Sequence, residues 1–131
     1  MFQMPYEVTE SEIEPTYRHV SHYQSLRIME LARLKYLEAI GWPNEALIKR
    51  GLFIVIGTIQ IAYKREVFVG YLTVTCEELR IEGRSMYLKQ RLINEKEKDA
   101  VVATVECVLM SGQSKRAVLP PAEFSAAFLG A

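Results

Sequence analysis

The sequence predicts an α+β protein in which one long helix packs against a single antiparallel sheet. One segment near the N-terminus repeats its apolar residues at helical spacing, and the rest of the chain holds apolar runs of strand length separated by turn residues. One helix on one sheet is the simplest arrangement that buries both apolar faces. The 131 residues fit one domain that spans positions 1–131.

The N-terminal third predicts a strand, a polar loop and then the long helix. Phe2–Val8 is the expected strand, and residues 9–18 form a loop that carries three glutamates. Ser21 is the expected N-cap of the helix, and Gly41 followed by Pro43 is the expected stop. The residues of the predicted buried stripe are Leu26, Met29, Ala32, Arg33, Tyr36, Leu37 and Ile40.

The remainder of the chain predicts mainly strands, after a short helix at residues 44–50. The strand Leu52–Tyr63 is nearly all apolar, whereas a strand with one buried face would alternate, so we expect it to be covered on both faces. The other strands are expected at residues 71–81, 85–93 and 100–110, with a hairpin tip at 94–99 and a last helical turn at 123–128.

Composition and charge narrow the function classes. The 16 basic and 16 acidic residues cancel, which disfavours a nucleic-acid partner held by bulk electrostatics. The longest uncharged stretch, residues 51–63, is too short for a membrane span, which needs roughly 20 residues as a helix. Cys76 and Cys107 are too few for a disulfide framework and are expected as buried free thiols. With no evident signal peptide, these features predict a cytoplasmic protein.

The segment at residues 19–33, HVSHYQSLRIMELAR, resembles the helix of hotdog-fold acyl-CoA thioesterases. The group comprises the 4-hydroxybenzoyl-CoA thioesterases and the Tol-Pal-associated acyl-CoA thioesterases, whose pattern is His-Val-Asn-Asn, then Tyr-Leu, then Phe-Glu-x-Ala-Arg. Ser21 and His22 stand where the family has two Asn, and Ser25 stands where it has Tyr. The residues that match the pattern are His19, Val20, Leu26, Glu30, Ala32 and Arg33.

The likeness continues downstream and covers roughly residues 5–122. Residues 61–63 resemble the family's Ile-x-Tyr strand, and residues 83–85 resemble the Gly-x-Ser that opens its fourth strand. Residues 90–94 and 105–120 resemble the Tol-Pal-associated branch. The resemblance implies a hotdog fold, acyl-CoA thioesterase activity without a cofactor, and a homodimer or dimer of dimers whose active site forms between two subunits.

The loop before the helix departs from the family pattern. The family carries its catalytic Asp there, in an Asp-Ala-x-Gly or Asp-Pro-Ala-Gly setting. An ungapped alignment places Pro15 at that Asp, and Glu14-Pro15 matches Asp-Pro only if the loop has one extra residue. Tyr17-Arg18 replaces the loop Gly. Glu14 is therefore our first choice for the catalytic carboxylate, and Glu12 is the second.

Thioester hydrolysis also needs donors for the oxyanion, and the start of a helix supplies unpaired N–H groups. By resemblance, the N–H groups near His22 and Tyr23 point at the thioester carbonyl, and the His22 imidazole orients the substrate or holds a water. The predicted catalytic set is thus Glu14, His22 and Tyr23. The two histidines, far from either cysteine, do not predict a metal site.

The remaining candidates are substrate-binding residues. Their positions match the family's helix and fourth strand, or place a positive charge where the phosphates of CoA would lie. Glu30 and Arg33 are also spaced to form an ordinary helical ion pair. The predicted substrate-binding residues are His19, Ser21, Glu30, Arg33, Arg80, Arg84 and Ser85, with Lys64 and Arg65 as further basic candidates.

Two other functions fit the same residues. The altered acid loop is compatible with a protein of the same fold that binds an acyl-CoA or acyl-carrier-protein thioester without hydrolysing it. A different α+β cone that binds another apolar ligand would need more helix before the sheet than this chain offers.

Overall fold

A computed structural model describes residues 1–130 and confirms the predicted α+β class, with one long helix against one antiparallel sheet. A 3₁₀ turn at Glu10–Glu12 and the two-residue strand near the C-terminus were not predicted. The elements in chain order are β1 (Phe2–Val8), α1 (His22–Ala39), α2 (Asn44–Lys49), β2 (Leu52–Tyr63), β3 (Gly70–Glu82), β4 (Ser85–Ile93), β5 (Asp99–Ser111), β6 (Ala117–Val118) and α3 (Ala122–Leu129).

The sheet runs in the order β1-β3-β4-β5-β2, with every pair antiparallel and β6 added alongside β5. A bulge at Gly57 shifts the register of β2 against β5. Without that extra residue, the second half of β2 would turn its apolar side chains to the opposite face of the sheet. The bulge therefore keeps Ile54 and Ile61 packed against the same core.

The helix α1 buries one face against the sheet, as its spacing predicts. Met29, Ala32, Tyr36 and Leu37 are buried as expected, and the Tyr36 ring packs edge-on against neighbouring aromatic rings. Three other residues of the predicted stripe, namely Leu26, Arg33 and Ile40, are only half-buried. Ser25 and Ile28 are buried instead, because the buried face lies slightly to the side of the predicted one.

The prediction that β2 is covered on both faces is wrong for the single chain. The strand lies at the edge of the sheet, where only β5 pairs with it. Phe53, Ile56 and Tyr63 are 36%, 41% and 48% exposed. A run of apolar residues cannot distinguish a central strand from an edge strand whose apolar surface is left open.

The second-choice carboxylate, Glu12, has a structural role. Its side chain is buried and accepts hydrogen bonds from the Tyr6 hydroxyl at 2.5 Å and the Thr9 N–H at 3.0 Å. The Arg27 guanidinium lies 3.7 Å away. These contacts tie β1 to α1 through the 3₁₀ turn, so Glu12 holds the loop and does not face an open cleft.

Both cysteines are buried free thiols, as predicted. Burial raises the pKa of Cys76 to about 12 and that of Cys107 to about 11, so neither is a thiolate near neutral pH. No helix within residues 1–130 is both long enough and apolar enough to cross a bilayer.

Candidate active site

A cleft of about 810 Å³ opens at the N-terminal end of α1. The loop before the helix, the first turn of the helix, and the end of β2 with the following loop form its walls. The structure brings five of the predicted site residues together here, namely Glu14, His19, Ser21, His22 and Tyr23. All three residues of the predicted catalytic set therefore line one cavity.

The loop that leads into the helix closes on itself by main-chain hydrogen bonds. The Glu14 N–H donates to the His19 carbonyl at 2.8 Å, and the Arg18 N–H donates to the Glu14 carbonyl at 2.8 Å. Arg18 adopts a left-handed backbone with φ of 62°. Glycine enters that region without a steric cost. The loop thus makes a turn that would suit the family's glycine, although the sequence places arginine there.

Glu14 lines the cleft, and its carboxylate holds this turn. It accepts a hydrogen bond from the Tyr17 N–H at 2.6 Å. This bond, with a second one from the Thr16 N–H, lowers the pKa of Glu14 below its ordinary value. Glu14 is therefore ionised at neutral pH, as a catalytic carboxylate must be if it is to accept a proton or attack a carbonyl.

The helix begins where the sequence predicts, with Ser21 at the N-cap in an extended conformation. The Ser21 side chain forms no capping hydrogen bond with the helix. In the described part of the chain, the N–H groups of His22 and Tyr23 make no main-chain hydrogen bond, whereas those of Gln24 and Ser25 donate to the Ser21 carbonyl. Two main-chain donors and the positive end of the helix dipole are thus left at the cleft.

The far wall of the cleft comes from the end of β2 and the loop that follows. The Tyr63 hydroxyl donates to the His22 carbonyl at 3.2 Å, and the Val20 N–H donates to the Val67 carbonyl at 2.8 Å. These two bonds attach the β2–β3 connection to the start of α1. Tyr63 was predicted only as part of a strand motif, and its place beside the helix depends on this long-range contact.

Two basic residues predicted as phosphate ligands also line the cleft. Arg65 donates to the Asp99 carbonyl at 2.7 Å, so its guanidinium is partly engaged. Lys64 is exposed, and within residues 1–130 it forms no ion pair. Lys64 is thus the cation of this wall that is free to meet an anion.

Glu30 and Arg33 lie further along α1, in a separate pocket of about 320 Å³ with mostly apolar walls. They do not form the helical ion pair that their spacing allows. The Arg33 guanidinium instead donates to the Gln90 side-chain carbonyl at 2.8 Å, and the fully buried Gln90 donates in turn to the Met29 carbonyl at 3.0 Å.

Arg80, Arg84 and Ser85 lie at the β3–β4 hairpin and do not reach the cleft of their own chain. Arg80 forms an ion pair with Glu82 and stacks over the Tyr87 ring at 4.1 Å, and Arg84 is exposed in the turn. The Ser85 hydroxyl donates to the Glu106 carboxylate at 2.6 Å. In residues 1–130, no three His, Cys, Asp or Glu side chains converge as a metal site.

A family model described as the thioesterase-like superfamily matches residues 12–128. The chain belongs to this superfamily. The match includes Glu14, the helix start and the β2 wall of the cleft, so the whole candidate site lies within the region that this superfamily shares. A search of curated proteins finds no match.

Solved structures confirm the hotdog fold. The probable thioesterase YbaW from Escherichia coli superposes with a TM-score of 0.85 at 21% identity, over 98% of this chain and 97% of that one. A DHNA-CoA thioesterase from Staphylococcus aureus superposes with a TM-score of 0.81 at 18% identity, over 89% of this chain and 78% of that one. The protein SAV2348 from Staphylococcus aureus, solved in complex with CoA, superposes with a TM-score of 0.89 at 17% identity, over 96% of this chain and 80% of that one. At these identities the similarity establishes the fold alone.

Proposed function

We propose that the protein is an acyl-CoA thioesterase that hydrolyses an acyl thioester to a free acid and a thiol at the cleft beside the start of α1. One observation carries the proposal. Within a superfamily named for thioesterases, an ionised Glu14 carboxylate and the unpaired N–H groups of His22 and Tyr23 line the same cavity. A base and an oxyanion site are the two components that hydrolysis of a thioester requires.

In the proposed reaction, Glu14 takes a proton from a water molecule while the water oxygen forms a bond to the thioester carbon. The electron pair of the carbonyl moves to its oxygen, which the N–H groups of His22 and Tyr23 stabilise at the positive end of the helix. The oxyanion then collapses and the C–S bond breaks. Protonated Glu14 gives its proton to the departing thiolate, which leaves as the thiol, and the Glu14 carboxylate is restored.

The thiol carrier in this proposal is CoA or an acyl-carrier protein, both of which are anionic. Lys64 supports this assignment, because it is an exposed cation on the cleft wall with no ion pair of its own. His19 and Ser21 line the same cleft and would contact the same substrate. Glu30, Arg33, Arg80, Arg84 and Ser85 remain proposed substrate contacts that would need to meet the substrate away from this cleft.

A homodimer would let some of these distant residues meet the substrate. The apolar β2 is an open edge, and an edge strand with exposed Phe53 and Ile56 is suited to pair with a second copy. If two β2 strands pair antiparallel, the Tyr63 end of one lies near the Ile54 end of the other. That arrangement would set the cleft of one subunit beside the Glu30 and Arg33 pocket of its partner. Light scattering should show a dimer or a dimer of dimers, and a particle of one 15.0 kDa chain would contradict it.

The second candidate function is a protein that binds an acyl thioester without cleaving it. The observation in its favour is that the Glu14 carboxylate is already engaged by the Tyr17 N–H in its own loop. A thiol-release assay over short, long and aromatic acyl-CoA substrates separates the two functions. The proposal expects turnover of at least one class, and binding of acyl-CoA without any thiol release would support the alternative.

A further inference from the structure

The floor of the cleft is made of small side chains. Four lining residues are buried, namely Val20, Ser25, Val67 and Val101, and none carries a large side chain. The rim differs, because the tyrosines at positions 17, 23 and 63 are exposed there. The cleft therefore has exposed aromatic side chains at its mouth and small, mostly apolar side chains at its base.

Ser25 is the unusual member of this floor. It is 2% exposed and belongs to the buried face of α1, whose other members are Ile28, Met29, Ala32, Tyr36 and Leu37. Serine has a smaller side chain than every other member of this buried face except Ala32. Further along the helix, the same face is packed against the sheet, whereas at Ser25 it borders the cleft.

The position of Ser25 relative to the proposed carbonyl site sets what it would touch. Residues three apart share one face of a helix, so Ser25 lies beneath His22, about 4.5 Å further along the axis. A carbonyl oxygen held at the His22 and Tyr23 N–H groups would direct the acyl group past Ser25 toward Val67 and Val101. Three valines and one hydroxyl make a floor that suits an uncharged, apolar acyl tail.

We infer that Ser25 sets the size of the acyl group the cleft accepts. The inference rests on the proposed function for the location of the thioester carbonyl. Replacing Ser25 with a large side chain would fill the floor and exclude long tails while it leaves room for short ones. The side-chain volume at position 25, and not a charge or a catalytic group, is then the specificity determinant.

The test is equilibrium binding of non-hydrolysable thioethers of CoA, S-methyl-CoA and S-octyl-CoA, measured by calorimetry. The native protein should bind S-octyl-CoA more tightly than S-methyl-CoA. Ser25→Phe should raise the Kd of S-octyl-CoA by about tenfold or more and leave the Kd of S-methyl-CoA unchanged, because pocket volume discriminates acyl groups on this scale. If Ser25→Phe does not fold, Ser25→Val allows the same test, because valine adds less side-chain volume.

Lys35→Phe is the matched control, since it adds a ring to an exposed position of the same helix. Equal weakening of both thioethers by Ser25→Phe, or equal affinity of the native protein for both, would overturn the inference. Because binding and not turnover is measured, a native protein that releases no thiol from any acyl-CoA but discriminates the thioethers as expected would refute hydrolysis alone. Ser25 would then set the size of the acyl group in a protein that binds the thioester without hydrolysing it.

Discussion

The cleft at the start of α1 and the β3–β4 hairpin both contain polar groups, but the hairpin pairs its side chains whereas the cleft leaves main-chain donors unpaired. At the hairpin, Arg80 is held by Glu82 and Tyr87, and the Glu106 carboxylate accepts hydrogen bonds from Ser85 at 2.6 Å and from Thr58 at 3.1 Å. In the cleft, the main-chain donors of His22 and Tyr23 have no main-chain partner within residues 1–130. The difference teaches that the candidate oxyanion site is identified by the main-chain donors that the fold leaves unpaired.

Substitution of the cleft carboxylate should have the largest effect. Glu14→Gln removes the proposed proton acceptor, and we expect kcat to fall by roughly 10²–10⁴-fold. Glutamine can still accept the Tyr17 N–H, so circular dichroism should show a native fold. Glu12→Gln is the control in the same loop, where the change should affect thermal stability much more than kcat. Equal kcat for Glu14→Gln and the native protein would remove Glu14 from the mechanism.

The main-chain donor at the helix start should have the next largest effect. Proline removes the N–H of residue 22, which is the first helical position, where proline is tolerated. The preceding Ser21 already has the extended conformation that a following proline requires, with ψ of 156°. His22→Pro should lower kcat by about 10²–10³-fold relative to His22→Ala, which keeps the N–H.

The comparison of His22→Pro with His22→Ala also tests the imidazole. Equal rates for the two folded variants would exclude the N–H of residue 22 as an oxyanion donor. If His22→Ala alone abolished activity, the side chain would carry the chemistry. Tyr23→Pro is the less clean variant, because it places proline after a residue with helical backbone.

Removal of the Lys64 side chain should have a smaller effect, and only on the KM for the substrate. We expect Lys64→Ala to raise KM for acyl-CoA by about 1.4- to 5-fold, which corresponds to the 0.2–1 kcal/mol of an exposed ion pair. The same acyl group on pantetheine, which lacks the CoA phosphates, should show no change in KM. An equal rise in KM for both substrates would show that Lys64 does not act through a phosphate.

The smallest effect on turnover is expected at the hairpin. Ser85→Ala removes one donor from the Glu106 carboxylate, and we expect the free energy of unfolding to fall by about 1 kcal/mol. Its effect on kcat should be far below that of Glu14→Gln. Thermal unfolding and the thiol-release assay measure the two quantities. A loss of kcat as large as that of Glu14→Gln would give Ser85 a catalytic role and contradict the comparison.

Elements with a clear periodic pattern could be predicted from the sequence. The bounds of β4, Ser85–Ile93, are as predicted, and its buried and half-buried residues alternate strictly. The start of α1 after Ser21 followed from its capping residue and spacing. The edge position of β2 could not be predicted, since strand order is set by pairing between distant segments, and its apolar run suits a central strand equally well.

The candidate site was predictable only in part, for a similar reason. Family likeness pointed to Glu14, His22 and Tyr23, which share the cleft. The burial of Glu12 depends on Tyr6 in another element, and the place of Ser25 on the cleft floor depends on Val67 and Val101. Local sequence contains no sign of such contacts, because they form only when distant segments pack together.

The pH dependence of kcat in the native protein tests the central claim most directly, because it leaves intact the loop that Glu14 itself holds. A lowered pKa keeps the Glu14 carboxylate ionised to a more acidic pH than an ordinary glutamate. With a saturating S-acylpantetheine substrate, which carries no phosphate, kcat should stay constant between pH 6 and 7 and fall only below about pH 4.3, the ordinary range of glutamate. A fall of kcat centred between pH 6 and 7, where histidine side chains ordinarily titrate, would contradict Glu14 as the base and assign that role to an imidazole.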